Sequence, residues 1–255
     1  MIKFLKIGLM LVIMALLIIS AVFSYKKLSD TKCEEIKVMM EAGSYRFANE
    51  ESIREQVVNI DSLVLKKNIR QINAEFIETE LEKISVIENA EVYDEIFGGP
   101  WKFKRRLIVR VLQRIPVFRV INESESFYVD SSGSKIEMTP EKATKMIVVT
   151  GFLKTRENIE KMLAFIKYIS DDDFWKSQIQ QIDRSKNGEI KMIPLIGNQL
   201  IEFGKTENYR EKLRNLKALY EQGFSKTGWQ KYSNINLKYS NQIVCTKREK
   251  YDEGQ

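Results

Sequence analysis

Residues Ile7 to Tyr25, IGLMLVIMALLIISAVFSY, carry no charge, and Lys3, Lys6, Lys26 and Lys27 bracket them. No other stretch constrains the chain as strongly. Nineteen helical residues span roughly 28 Å, close to the ~30 Å hydrocarbon core of a bilayer. A cleaved signal peptide is the alternative, with Val22 and Ser24 as a weak cleavage site. Its apolar region is ordinarily about 7–15 residues, shorter than this run. A single-pass anchor is therefore the better reading. Lysines on both flanks leave the positive-inside rule undecided. A short inner tail (1–6), a membrane helix (7–25), a polar linker (26–32) and a large domain outside the membrane is the usual arrangement for such a layout.

Composition removes whole classes of chemistry. The 255 residues include no histidine, so histidine triads, histidine-ligated metals and the commonest general acid/base are excluded. Cys33 and Cys245 cannot supply the four ligands of a structural zinc site. They read as unpaired small apolar residues, or as one long-range disulfide in an oxidising compartment. The net charge is +6, but acidic residues are interleaved with the lysines, which argues against a dedicated nucleic-acid face. Three strings match penicillin-recognising enzymes: Ser132 to Lys135 as S-x-x-K, Lys226-Thr227-Gly228 as K-T-G, and Tyr232-Ser233-Asn234 or Tyr239-Ser240-Asn241 as Y-x-N. Their order is wrong, and Gly133 places Ser132 in a hairpin tip, not at the start of a helix. The carboxylate run Asp171–Asp173 has no acidic partner cluster and reads as a solvated helix end. No catalytic, cofactor or metal residue is expected, and no small-molecule substrate.

The patterning after the linker is α+β. CEEIKVMME alternates as a strand through Ile36, Val38 and Met40. Asn49, followed by Glu50 and Glu51, caps a helix with Ile53 and Val57 on one face. Asn73 caps a second helix with Phe76 or Ile77, Leu81 and Ile84 in its stripe. A strand follows around Val86 to Tyr93, and Gly98–Pro100 makes a turn. In WKFKRRLIVRVLQR one face holds Trp101, Phe103, Leu107, Val109 and Val111, interrupted by Arg105. The other holds Lys102, Lys104, Arg106, Arg110 and Arg114, with Ile108 and Leu112 among them. That is a half-buried strand with a basic outer face. Residues 33–113 thus read strand, helix, helix, strand, strand.

From Pro116 the pattern changes. VFRVI is a strand, SFYVD and KIEM form a hairpin around the Asp130 turn, and MIVVTG is another apolar strand. Thr155 caps a helix with Ile159, Leu163, Ile166 and Ile169 at helical spacing. Three short strands follow, divided at Asn187-Gly188 and Gly197-Asn198. A second helix starts near Glu207, with Leu213, Leu216 and Leu219 on its face and Gly223 as a left-handed stop. Ile235, Leu237 and Tyr239 then alternate with polar residues in a late strand that places all three toward the core. The tetrapeptide K-Y-S-N occurs twice, at 231–234 and 238–241. Its spacing is odd, so on one straight strand Tyr232 and Tyr239 point to opposite faces and are not two copies of one binding element.

The ordered strings resemble the FtsQ/DivIB family of bacterial cell-division proteins. VIENAEV (86–92) is similar to the family's strand after the second helix. Arg114, Ile115 and Pro116 resemble its basic-x-Pro junction. Tyr128, Asp130 and Gly133 resemble its Y-x-D-x-x-G hairpin. IPLIGNQLIEFG and the stretch ending KYSNINLKYSNQIVC look most like Bacteroides-type members. The resemblance implies one N-terminal transmembrane helix, a POTRA-like domain over 33–113, a mixed or antiparallel β domain with two helices over 114–248, and a charged tail at 249–255. It implies a non-enzymatic divisome scaffold in the cytoplasmic (inner) membrane, at the septum, with its C-terminal domain on the extracytoplasmic side. It also implies that the terminal strand binds an FtsB/DivIC-like coiled-coil partner together with an FtsL-like protein, by β-augmentation through Ile235, Leu237, Tyr239, Asn241 and Ile243. A terminal strand with one free side offers a template for such pairing. A POTRA-type module for outer-membrane protein export or assembly is the alternative.

Overall fold

Two sheets, one in each half of the chain, organise the computed structural model, which describes residues 2–29, 31–41, 47–99, 102–137, 146–224, 228–239 and 242–248. The chain divides at Arg114/Ile115 into two units, and its class is mixed α+β. The first element, α1 (Ile2–Ser29), extends past Tyr25, so the polar residues expected to begin a linker at Lys26 are still helical. The side chains described in α1, Ile7 to Val22, are exposed throughout and cover roughly 24 Å. Among the described residues no helix is long and apolar enough to cross a membrane.

In the first unit β1 (Cys33–Met40), α2 (Glu50–Ile60), α3 (Ala74–Glu82), β2 (Ile87–Gly99) and β3 (Lys102–Gln113) follow one another, with a short 3-10 turn at Ile69–Gln71. The helix starts lie where short polar residues precede apolar stripes. Asn49 Oδ1 accepts from Ser52 N at 2.8 Å while Ser52 Oγ accepts from Asn49 N at 3.1 Å, a reciprocal cap. Asn73 Oδ1 accepts from Phe76 N. Gln113 is buried and ties the segment before α2 to β3, accepting from Phe47 N at 2.8 Å and Ala48 N at 3.1 Å.

The sheet order is β1-β3-β2, with β1 parallel and β2 antiparallel to β3. The central place of β3 alters the sequence expectation of a half-buried strand. Ile108 lies on the basic face yet is only 2% exposed, because Lys37 and Tyr93 flank it in register. The basic residues meet acids on the flanking strands. Lys104 pairs with Glu34, Arg105 with Asp94, Arg106 with Glu35 and Glu95, and Arg110 with Glu91. These acids offset much of the stripe's positive charge.

The second unit is a nine-stranded sheet in the order β12-β11-β10-β9-β8-β7-β4-β5-β6. Its strands are β4 (Pro116–Ile121), β5 (Ser126–Asp130), β6 (Lys135–Glu137), β7 (Val148–Gly151), β8 (Ile179–Arg184), β9 (Ile190–Pro194), β10 (Leu200–Gly204), β11 (Tyr232–Asn236) and β12 (Val244–Lys247). β4, β7 and β8 run parallel at the centre, and α4 (Arg156–Ser170) and α5 (Asp173–Gln178) link β7 to β8. α6 (Tyr209–Ala218) links the parallel pair β10 and β11. One core unites alternate sheet residues such as Phe118, Val149, Ile182 and Phe203 with Ile166, Leu213 and Leu216 of the helices.

Two sequence expectations change here. Asp171–Asp173, expected as a solvated helix end, serves two helices: exposed Asp171 closes α4, and Asp172 opens α5 by accepting from Phe174 N and Trp175 N. Gly223 does not stop α6. A π-helical turn, Leu219–Phe224, carries the chain past it, and the left-handed glycine is Gly228 with φ +76°, whose N–H donates to Phe224 O.

Candidate functional site

The residues nominated by the sequence converge on the β10-β11-β12 end of the large sheet, but not as one surface. β11 is flanked on both sides. It is parallel to β10, with Ile201 opposite Ile235, and antiparallel to β12, with Cys245 opposite Ile235. The edge at this end of the sheet is therefore β12, not the strand that carries Ile235. Ile235 is fully buried and Leu237 is 3% exposed, both within the core. Leu237 N donates to Glu202 O at 2.9 Å, which prolongs the ladder beyond the last paired residue.

The chain then bends. Asn236 Oδ1 accepts from Lys238 N at 2.9 Å, which breaks the strand period. Tyr239 is consequently 56% exposed instead of facing the core, a correction to the alternation read from the sequence. Ile243 is half-buried against the core, and Asn241 lies outside the described residues. Val244, at the start of the edge strand, is exposed.

A small hollow of about 80 Å³ adjoins this bend, lined by Glu211, Lys212 and Asn215 of α6 and by Leu237, Tyr239 and Ile243. It has room for two or three waters' share of volume at ~30 Å³ each, or one small side chain. Lys212 fixes its wall: Nζ donates to Phe203 O at 3.0 Å and Lys205 O at 2.9 Å, and burial lowers its pKa. Lys238 reaches back to Glu189 Oε2 at 2.9 Å, which raises the lysine pKa and lowers that of the carboxylate. Burial raises the thiol pKa of Cys245, and both Cys33 and Cys245 are free thiols.

The remaining sequence candidates are separated. Ser132 Oγ donates to Asp130 Oδ1 at 2.6 Å inside the hairpin turn, whereas Lys135 Nζ faces Glu125 and the Phe127 ring. Lys226 and Thr227 lie outside the described residues. Among the described residues no group of three or more acidic or cysteine side chains is placed to hold a metal ion. A shallow groove of about 610 Å³, which the sequence did not signal, crosses the carboxyl ends of β4, β7 and β8. Its Arg184 is already engaged, donating to Phe152 O at 2.5 Å and Asn158 Oδ1 at 2.8 Å.

A family model described as "FtsQ/DivIB, C-terminal related" matches residues 115–246, more than half of the 255-residue chain. The chain belongs to this family. The match starts at the first residue of the second unit and ends inside β12. No curated protein matches the sequence, so the family and not an individual relative carries the assignment. The FtsQ/DivIB family is one of non-enzymatic division scaffolds, and membership points to a role in cell division through protein–protein interactions.

Proposed function

We propose that this chain is a bitopic membrane scaffold of the divisome that captures a small coiled-coil membrane partner, FtsB/DivIC-like and accompanied by an FtsL-like protein, by adding a strand to β12. The observation that carries the reading is the position of β12 at the end of the nine-stranded sheet, into which the family match extends. A sheet edge offers unpaired backbone groups to an extended segment, and side chains beside it supply specificity. The exposure of Tyr239 and Val244, half-buried Ile243 and the hollow beside α6 support that reading; Asn241, which lies outside the described residues, is proposed as a further contact from the family resemblance alone. Ile235 and Leu237 support that surface from within the core. The strand-helix-helix-strand-strand order of the first unit supports a POTRA-like recruitment module, the uncharged run in α1 supports membrane anchoring, and family membership supports a place at the septum.

Depletion of the protein should give filamentous cells, and a tagged copy should collect at midcell. Tyr239→Glu places a charge at a contact that must desolvate, and should abolish partner capture while leaving the fold intact. Normal division on full depletion rejects the scaffold role. Capture that survives Tyr239→Glu rejects this surface.

A further inference from the structure

The first unit's sheet also has two edges, β1 and β2, and helices of the same unit occupy both. β2 is the greater liability, a 13-residue strand at the end of its sheet. Its outward N–H groups at Ala90 and Val92 do not face solvent. Val92 N donates to Glu78 Oε1 at 2.6 Å and Ala90 N to Glu82 Oε1 at 3.2 Å.

The match follows from geometry. Glu78 and Glu82 are four residues apart on α3, about 6 Å along the helix axis. Consecutive outward N–H groups on a strand are two residues apart, about 6.7 Å. A helix running antiparallel beside the strand therefore sets one carboxylate against each. On the other edge, Arg54 of α2 donates from Nε to Ile36 O at 3.3 Å, and backbone pairing at Cys33–Lys67 and Ile69–Thr31 covers the start of β1. Each guard has the polarity its target needs: carboxylates on donors, a guanidinium on an acceptor. A strand seeking β2 would have to displace two charge-assisted bonds and bury or expel two carboxylates. No helix side chain is bonded to the backbone of β12 among the described residues.

We propose that α2 and α3 act as edge guards, with Arg54, Glu78 and Glu82 closing the helix-covered stretches of β1 and β2, at Ile36 and from Ala90 to Val92, to strand addition and so favouring β12. Only the last clause rests on the reading of β12 as the partner edge.

The test is amide-resolved hydrogen exchange on the full chain in detergent, without partner, together with sedimentation. E82A should accelerate exchange at Ala90, and E78A at Val92, each roughly ten- to hundredfold, while the other amide holds. E78A/E82A together should make the chain self-associate with rising concentration. E78Q/E82Q, whose amide oxygens still accept, should stay as monodisperse as the parent. Glu82 is exposed, so the single variant reports even where the double variant does not fold. Unchanged exchange at both amides overturns the guard, as does a folded E78A/E82A chain that remains monodisperse. Neither reading involves β12, so loss of partner capture there leaves this result standing.

Discussion

The sharpest separation of fold from function is between Ile235 and Tyr239, which the sequence pattern treats alike. Ile235→Ala removes three carbons from a fully buried side chain on a strand held between β10 and β12. At ~0.8 kcal/mol per carbon the transfer term is about 2.4 kcal/mol. The two flanking strands hold the backbone in place, so the site cannot collapse, and the residual cavity carries the cost into the range of about 2–5 kcal/mol. For the second unit, residues 115–255, at roughly 4 °C per kcal/mol, the midpoint should fall by about 10–20 °C. Tyr239→Ala acts on a ring that is 56% exposed and should stay within about 0.5 kcal/mol of the parent. The assay is urea and thermal unfolding of the full chain in detergent, followed by fluorescence of Trp175, which is buried in the second unit, in a background where Trp101 and Trp229 are phenylalanine. Partner capture is measured on the same samples. Ile235→Ala should bind normally well below its midpoint, and Tyr239→Ala should bind weakly at every temperature. Equal stability losses in the two variants would refute the assignment of one residue to the core and the other to the surface.

Three further outcomes follow from local geometry. Gly151 has φ +86°, and a Cβ there would sit 2.3 Å from Arg184 O, so Gly151→Ala should cost at least about 2 kcal/mol in the same unfolding assay. The Lys217–Asp172 pair, with Nζ and Oδ2 2.9 Å apart, lowers the carboxyl pKa and raises that of the lysine, mainly through their hydrogen bond. A depressed carboxyl pKa stabilises above the unfolded value, near ~3.9, and that contribution fades as pH falls through the lower folded value. A raised lysine pKa stabilises below its ordinary value and fades in strong alkali. Lys217→Met should therefore lower the urea midpoint at neutral pH and converge with the parent at both extremes; a difference that persists at low pH contradicts the pairing. Arg106→Ala breaks partly exposed pairs with Glu35 and Glu95 and should change the stability of the first unit by less than about 1 kcal/mol, with added salt shrinking the difference.

Local features were legible where a single side chain decides them. Asn49, Asn73 and Thr155 cap the helices expected of them, because a short polar side chain before an apolar stripe satisfies free N–H groups whatever the tertiary context. Gly188 and Gly197 turn with positive φ between strands, as Asn-Gly and Gly-Asn pairs should. Helix α5 was missed because six residues are too few to show a period. The burial of Ile108 was missed because it depends on which strands flank β3, and alternation along one strand does not report its neighbours.

The partner edge shows the same limit more sharply. Alternation assigns each residue of a strand to a face, so it placed Ile235 and Leu237 in the core correctly. It extended that phase to Tyr239 only because it cannot see the Asn236 side chain ending the strand. Being an edge is a property of the neighbouring strands, not of the strand itself. The strand of Ile235 is not the terminal one: Val244–Lys247 returns antiparallel and takes the outer place. The residues that decide the edge are therefore those of the return, IVCTK, whose own pattern is too short to declare its role. A binding surface made of backbone groups leaves little signature in side chains. Family resemblance through ordered weak strings, and not a single motif, is the form in which such a function should be visible in sequence.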